Sequence, residues 1–452
     1  MEKKLKLNYK NTFFIGLAFF SILMLWQIYN TYCPLILNEL LESKFQNADK
    51  LTYIIGIIMA MDNLAALILM PIFGNLSDKT KTKYGKRMPY ILIGMLASAI
   101  VFPFIAVMYL INNFIGVILF MGLVLTIMQC YRSPAVALMP DITPKPLRST
   151  ANGIINLVGY IGAILGGVLA MIFKKSPGES LSMNYLWPFI ISSVFMLLAM
   201  IILGIKINEP KLLVESKDDV EYGESLCQSL EEIKEDKKLH KNDFINLIII
   251  LLSVFFWFMS FNAIETFNSL FCEKILGTSG IHGTFTILLT VSSLVSFVVF
   301  SSISNKIGRK WTIFIGLLLV ILGFTIIAVG CFTLDVKIVS ILIYICTVII
   351  GVGWALININ SYPMIVEMAN KKNVGKFTGY YYTASMVAQT STPILVGLIM
   401  SFNTNGLKLL YVYAAIMMLI ALIVFFFAKE RRDIKRKQEK KKFLEKIGDI
   451  DD

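Results

Sequence analysis

The chain has 452 residues, of which 56% are hydrophobic and 16% charged, and a net charge of +12. A water-soluble fold of this length displays far more Lys, Glu, Asp and Arg. The mean hydropathy of +0.72 belongs to a chain that lives mostly in lipid, which excludes a soluble enzyme.

The basic start MEKKLKLNYK is followed by TFFIGLAFFSILMLWQIYNTYCPLIL. That run is too long for the core of a cleaved leader and lacks a small-residue cleavage site, so it predicts a membrane helix kept in the mature protein. Apolar runs of about 20 residues, the length that crosses a bilayer, predict twelve helices in all. They lie at 12–38, 52–77, 89–111, 114–139, 150–173, 185–205, 244–271, 281–303, 311–331, 338–362, 376–401 and 407–428. Strands of a membrane barrel would be about 10 residues long and would alternate polar with apolar; these do not.

Of the 42 Lys and Arg, 34 fall at the termini and in the even-to-odd connections, and seven fall in the others. The positive-inside rule then puts both termini in the cytoplasm of a multi-pass protein of the cell membrane. Topology accounts for the positive charge, and nucleic acid is not an expected partner. The longest polar stretch divides the helices six and six, giving an N-terminal bundle (1–208), a cytoplasmic linker (209–243), a C-terminal bundle (244–428) and a basic tail (429–452). Within the linker, Leu226, Leu230 and Ile233 recur at helical spacing, which fits either a surface helix or a solvated segment.

Six cysteines without regular spacing argue against a disulfide framework or a CxxC site. The two histidines, His240 and His282, sit outside the deep apolar runs, so no metal site is expected.

The connection GNLSDKTKTKYGKR (74–87) has a shorter counterpart in SSISNKIGRK (301–310). Pro134 and Pro363, and Thr150 and Thr378, continue the correspondence at similar offsets. Two parallel six-helix repeats place a site at their interface, near mid-membrane. Gly74, Asp78, Gly85, Lys86 and Arg87 form the first cytoplasmic cluster, with Asp78 able to pair with Lys86 or Arg87; Asn305, Gly308, Arg309 and Lys310 form the second. Asp141 with Arg148, and Glu367 with Lys376, flank the short inner connections after the fourth and tenth helices. These charges read as a cytoplasmic gate or as simple inner-surface anchors.

The glycine, the aspartate and the Gly-Lys-Arg of the 74–87 loop resemble the signature loop of the major facilitator superfamily. The six residues between Asp78 and Gly85 look more like the glycoside–pentoside–hexuronide cation symporters and the related sucrose transporters. RSPAVALMPDITPKPLRSTANG (132–153) and NSYPMIVEMANKKNVGKFTGYYYTASMVAQ (360–389) extend the resemblance. It implies an all-α membrane protein of twelve transmembrane helices in two pseudo-symmetric six-helix bundles, the major facilitator fold. It also implies secondary transport of a sugar. Drug–proton antiporters of the superfamily carry Gly-Pro-x-x-Gly-Gly in helix five; GAILGG (162–167) has Ala163 at the proline.

Within the spans, Asp62 lies about 15 Å along its helix. An ionised carboxylate there costs about 2.5–3.5 kcal/mol on an insertion scale, so it should face a cavity, a partner or a proton. It reads as a site for a coupling proton or sodium ion, or as a hydrogen-bonding node with Asn63. Arg132 keeps its charge and needs a carboxylate or a substrate oxygen. Glu265 is a second-half carboxylate that could serve the same site or an outer vestibule. Trp26, Trp257 and Trp354 fall mid-span, where an indole is commonly core. Together with Gln27, Asn30, Asn63, Asn358, Asn360 and Gln389 they have the makings of a sugar site, which needs apolar faces for ring C–H groups and amides for hydroxyls. Tyr380, Tyr381 and Tyr382 read as interfacial belt residues.

The expectation is therefore a monomeric, lipid-embedded symporter of a glycoside or oligosaccharide. It needs no cofactor beyond H+ or Na+ and works by alternating access. The alternatives are a proton-coupled exporter of drugs or metabolites, and a lipid-transporting or sensor relative. No nucleophile–base set or nucleotide loop suggests an enzyme.

Overall fold

In the computed structural model the description covers residues 5–46, 48–175, 179, 181–232, 241–369, 373–402 and 405–429. Within these it omits the side chains of 48–49, 62, 228–232, 241–242 and 301–306. The helices in chain order are α1 (Tyr9–Lys44), α2 (Thr52–Lys79), α3 (Met88–Val101), α4 (Pro103–Leu110), α5 (Phe114–Ile142), α6 (Arg148–Ile172), α7 (Leu186–Lys206), α8 (Glu209–Glu232), α9 (Lys241–Leu276), α10 (Gly280–Ile307), α11 (Arg309–Thr333), α12 (Val336–Val366), α13 (Val374–Ser401) and α14 (Leu409–Phe426). Among the described residues twelve spans are long and apolar enough to cross a membrane, α3 and α4 together making one of them.

Local chemistry sets several of these boundaries. Asn8 and Asn113 cap α1 and α5 by accepting backbone N–H bonds from Asn11 and Gly116. Pro103, which has no N–H to donate, divides the third span into two pieces where the sequence predicts one helix. Both α1 and α9 run past the predicted ends at 38 and 271, to Lys44 and Leu276. Their extra turns carry Glu39, Glu42, Glu273 and Lys274, polar residues that find partners on neighbouring helices.

The first half (α1–α7) and the second (α9–α14) stand side by side, and the start of α1 and the end of α14 lie at one end of the bundle, called here the terminal end. Lipid is as apolar as a leucine core, so close fit and polar links hold such helices together. Gly316 and Gly353 bring the α11 and α12 backbones into contact, a Cβ on either being 2.7 and 2.6 Å from the other's carbonyl. Aromatic rings fill each half: Tyr32, Tyr109, Tyr185, Phe102 and Phe189 in the first, Phe271, Phe324 and Tyr411 in the second. Ile93, Leu119 and Ile205 are exposed on the outer, lipid-facing surface.

Between the halves, α8 forms a helix in the linker. Its Gly223 packs on Pro144, and Glu224 lies 3.6 Å from Arg148, so it rests against the terminal end of the first half. Leu226 is half-buried; Leu230's side chain, Ile233 and the tail 430–452 lie outside the described residues.

The halves touch along three seams, α2 with α13, α6 with α10, and α1 with α9. All three are tight at the far end. Gly56 of α2 lies against the Pro393 carbonyl of α13, Gly397 against Tyr53, and Gly167 of α6 against Gly283 of α10. Nearer the terminal end, among the described residues, no hydrogen bond crosses these seams, and a Cβ on Gly153, Gly375 or Gly379 would meet nothing within 4 Å. The bundle is a V, closed at the far end and open at the terminal end.

Candidate functional site

The walls of the V carry two facing strips. On the first half, α1 presents Trp26 and Asn30 at i, i+4 spacing, with Gln27 beside them. Arg132 of α5 lays its guanidinium over the Trp26 ring, 4.8 Å from the centroid. On the second half, α9 presents Phe258, Phe261 and Glu265. Trp354 of α12 stacks flat on Phe261, with centroids 3.8 Å apart and planes 6° apart, and Phe258 meets its edge. Both Trp354 and Phe261 remain half-buried. The stack is a flat apolar platform on the same α9 face as a carboxylate, with the Arg132 guanidinium carried by the other half.

Glu265 lies about 16 Å from the far end of α9 at 1.5 Å per residue, yet its side chain is exposed. It therefore faces the cavity between the halves. Its Oε1 accepts a bond of 3.3 Å from Asn30 Nδ2.

The other sequence-predicted residues divide. Gln27 Nε2 donates to Thr31 and, across the halves, to Thr286, each at 3.1 Å. Asn63 Nδ2 donates across the α2–α13 seam to the Gln389 carbonyl at 3.4 Å, leaving the Gln389 side chain half-buried. Asn358 bonds back to the Trp354 carbonyl and is half-buried; Asn360 bonds back to Leu356 and is 1% exposed. Trp257 corrects the expectation of a sugar platform, because it is fully buried against Phe425 inside the second half. Tyr381 is likewise no belt residue: it is buried, shares a hydrogen bond with Ser361 and packs on Phe258. His282, expected outside the deep apolar runs, is 4% exposed and bonds to Asn268 at 3.1 Å. Asp62 lies in α2, its side chain outside the described residues.

Every described hydrogen bond that joins the halves lies at or beyond mid-depth toward the far end. Outward from Glu265, Ser269 Oγ reaches the Asn30 carbonyl at 3.5 Å and Tyr185 OH donates to Glu273. Lys274 pairs with Glu42 at 2.6 Å, and the Tyr53 amide reaches Ser401. Behind this row Glu39 accepts from Tyr109 at 2.8 Å and pairs with Lys175 at 3.1 Å. Hydropathy alone missed the outer part of this closure, since Glu39, Glu42, Glu273 and Lys274 sit in helix extensions that polar composition disguises as loop. The sequence signal was present in glutamates at helical spacing, 39 and 42 on α1 and 265 and 273 on α9.

At the terminal end each half binds its own signature cluster. Arg87, 4% exposed, is held by Asp78, by Asp141 at 3.1 Å, and by the Gly74 carbonyl at 3.3 Å; Lys86 also reaches Asp141, at 3.0 Å. In the second half Arg309 pairs with Glu367 at 2.6 Å, and Lys310 donates to the Phe426 carbonyl at 3.0 Å. Gly85 and Gly308 both have φ near +100°, the region that favours glycine, immediately before these basic pairs. The repeat thus extends to an arginine–carboxylate pair in each half. The expected flanking pairs are rearranged: Arg148 binds the Thr143 and Pro140 carbonyls and approaches Glu224, not Asp141. Lys376 lies over Tyr380, not beside Glu367. Asn305's side chain lies outside the described residues.

Sequence reasoning missed Glu209, at the start of α8. It is fully buried and accepts from the backbone N–H groups of Lys86, Arg87 and Met88 at 2.8–3.1 Å. Those donors open α3, so a carboxylate sits where the helix dipole favours one. Gly85 has to be glycine on a second count, since a Cβ there would collide with the Glu209 carboxylate.

The arrangement of twelve spans in two halves matches known proteins. A D-xylose–proton symporter superposes with a TM-score of 0.67 at 16% identity, over 93% of this chain and 98% of that one. A bacterial homolog of the human lysosomal transporter Spinster, inward-facing and unoccupied, gives 0.66 at 12% identity, over 94% and 98%. At these identities the likeness shows the fold alone. Lactose permease of Lactobacillus helveticus is 46% identical over 52 residues, 12% of this chain and 8% of that permease. The Major Facilitator Superfamily profile matches residues 15–303 and 282–449, and the chain belongs to that family of transporters.

Proposed function

We propose that the protein is a cation-coupled symporter of a glycoside or oligosaccharide, with the terminal end in the cytoplasm and the V an inward-open state. The observation that carries the sugar reading is the Trp354–Phe261 stack on the α9 face of Glu265, with Arg132 on the other half. A flat aromatic face accepts the C–H side of a pyranose ring, and charged and amide groups around it take the hydroxyls. The short stretch like lactose permease supports the same substrate class. Asp62 and Glu265 are the carboxylates for the coupling proton or sodium ion, and Arg132 links their charge to the substrate. The bundle works as a monomer. The loops at Gly74–Arg87 and Gly308–Lys310 brace each half so that it moves as one body about the far-end seams.

The test is uptake of a panel of labelled disaccharides into proteoliposomes under an imposed proton or sodium gradient, for wild type and Asp62→Asn. Gradient-driven accumulation that falls to equilibration in the variant supports the reading. Accumulation of no sugar under either gradient refutes it.

A further inference from the structure

A chain of aromatic rings leads from the platform toward the terminal end along the second half. Phe258 touches Trp354 with ring centroids 5.7 Å apart and Tyr381 at 6.4 Å. Tyr381 in turn touches Tyr362 and Tyr382, each at 5.6 Å, and those two rings lie 6.2 Å from one another. On α12, Trp354, Asn358 and Tyr362 recur every fourth residue and share a face. Tyr362 therefore stands about 12 Å beyond the platform at 1.5 Å per residue, toward the end of α12 that meets the Arg309–Glu367 pair. On α13, Tyr382 precedes Pro393 by eleven residues, three turns, so it lies on the face that meets α2 at the far end. Nearer the terminal end this face is open, since a Cβ on Gly379 would meet nothing within 4 Å. Tyr382 is 54% exposed and Tyr362 half-buried. The inner rings, Phe258, Phe261 and Trp354, carry no hydroxyl, whereas the three outer ones are tyrosines.

We propose that Tyr362 and Tyr382 form a second sugar-ring subsite between the platform and the terminal end, and that through it the protein selects glycosides of two or more rings over monosaccharides. This rests on the sugar-transport reading and names the part of the substrate that reading leaves open. One pyranose lies on Trp354. The next, linked to it, reaches the tyrosines, because the wall between Trp354 and Tyr362 is longer than a single ring. A tyrosine offers an apolar face to the C–H side of a sugar and a hydroxyl to its polar edge. A wall of Phe and Trp alone would suit an apolar aglycone better. Tyr362 OH already shares a hydrogen bond of 3.1 Å with Thr378, which fixes its ring. Tyr381 is buried behind the pair, bonded to Ser361, and sets their spacing without touching the substrate. Asn358, half-buried on the same α12 face, stands where the linkage between the two rings passes.

The test is isothermal titration of the purified protein in nanodiscs with matched sugars. The probes are methyl glucoside with cellobiose, cellotriose, maltose and maltotriose, methyl galactoside with lactose, and the phenyl glycosides of glucose and galactose. In the series the protein accepts, the disaccharide should bind about tenfold tighter than its methyl monosaccharide, and Tyr382→Ala should remove that gain. Tyr382 is exposed, so its truncation leaves the buried core intact. Tyr382→Phe keeps the ring and should retain part of the gain, while Trp354→Ala should weaken monosaccharide and disaccharide alike. Three results overturn the inference: equal affinity for monosaccharide and disaccharide, a Tyr382→Ala loss shared equally by both, or a full gain in that variant. A phenyl glycoside bound as tightly as the disaccharide also overturns it, because the tyrosines would then hold an apolar aglycone. Binding of no sugar refutes the sugar reading as well, whereas a monosaccharide bound as tightly as its disaccharide refutes the second subsite alone.

Discussion

Replacing Glu209 by Ala tests whether the linker helix braces the signature loop. The substitution removes the acceptor for three backbone N–H groups at the start of α3, in a place fully shielded from solvent. Each unpaired buried donor costs about 1–3 kcal/mol. Water entering from the nearby terminal end can satisfy some of them, so the net loss should be about 3 kcal/mol. For a cooperative unit of 150–250 residues, the size of the first half, that corresponds to a melting temperature lower by about 6–12 °C. Glu209→Gln keeps one acceptor oxygen without its charge and should lose about half as much. The assay is thermal unfolding of the purified protein in detergent, followed by intrinsic tryptophan fluorescence. A shift below about 2 °C for Glu209→Ala would mean that the carboxylate contributes nothing net, and the bracing argument would fail.

Two further outcomes follow from contacts in the V. Gly56→Ala places a methyl group against the Pro393 carbonyl, and backbone cannot give way as a flexible side chain does. The variant should lose transport by more than about tenfold and leave a far-end cysteine reactive to an impermeant thiol reagent; wild-type transport would show that the α2–α13 seam tolerates separation. Trp354→Ala removes half of the aromatic stack and should raise the sugar KM by about tenfold or more, with a smaller change in kcat. An unchanged KM would place the sugar elsewhere in the cavity.

The sequence by itself determined the twelve spans, their division six and six, the pseudo-repeat and the mid-span charges. These depend on local quantities: run length against bilayer thickness, Lys and Arg in short connections, and spacing along one helix. Pairing is another matter. Arg87 could have taken Asp78 alone, and only packing of α5 against α3 brings Asp141 to it. Trp257 and Trp354 are both indoles at mid-span, yet one is sealed against Phe425 and the other lies on Phe261 at the cavity, because helix rotation decides which face meets the interface. Glu209 lies more than a hundred residues from the amides it caps. The far-end closure joins α1 to α9, elements that belong to different repeats and meet only when the halves dock. Side-chain type is written along the chain; which partner a buried charge meets is decided by how the helices turn and lean, since lipid exerts no preference among apolar faces.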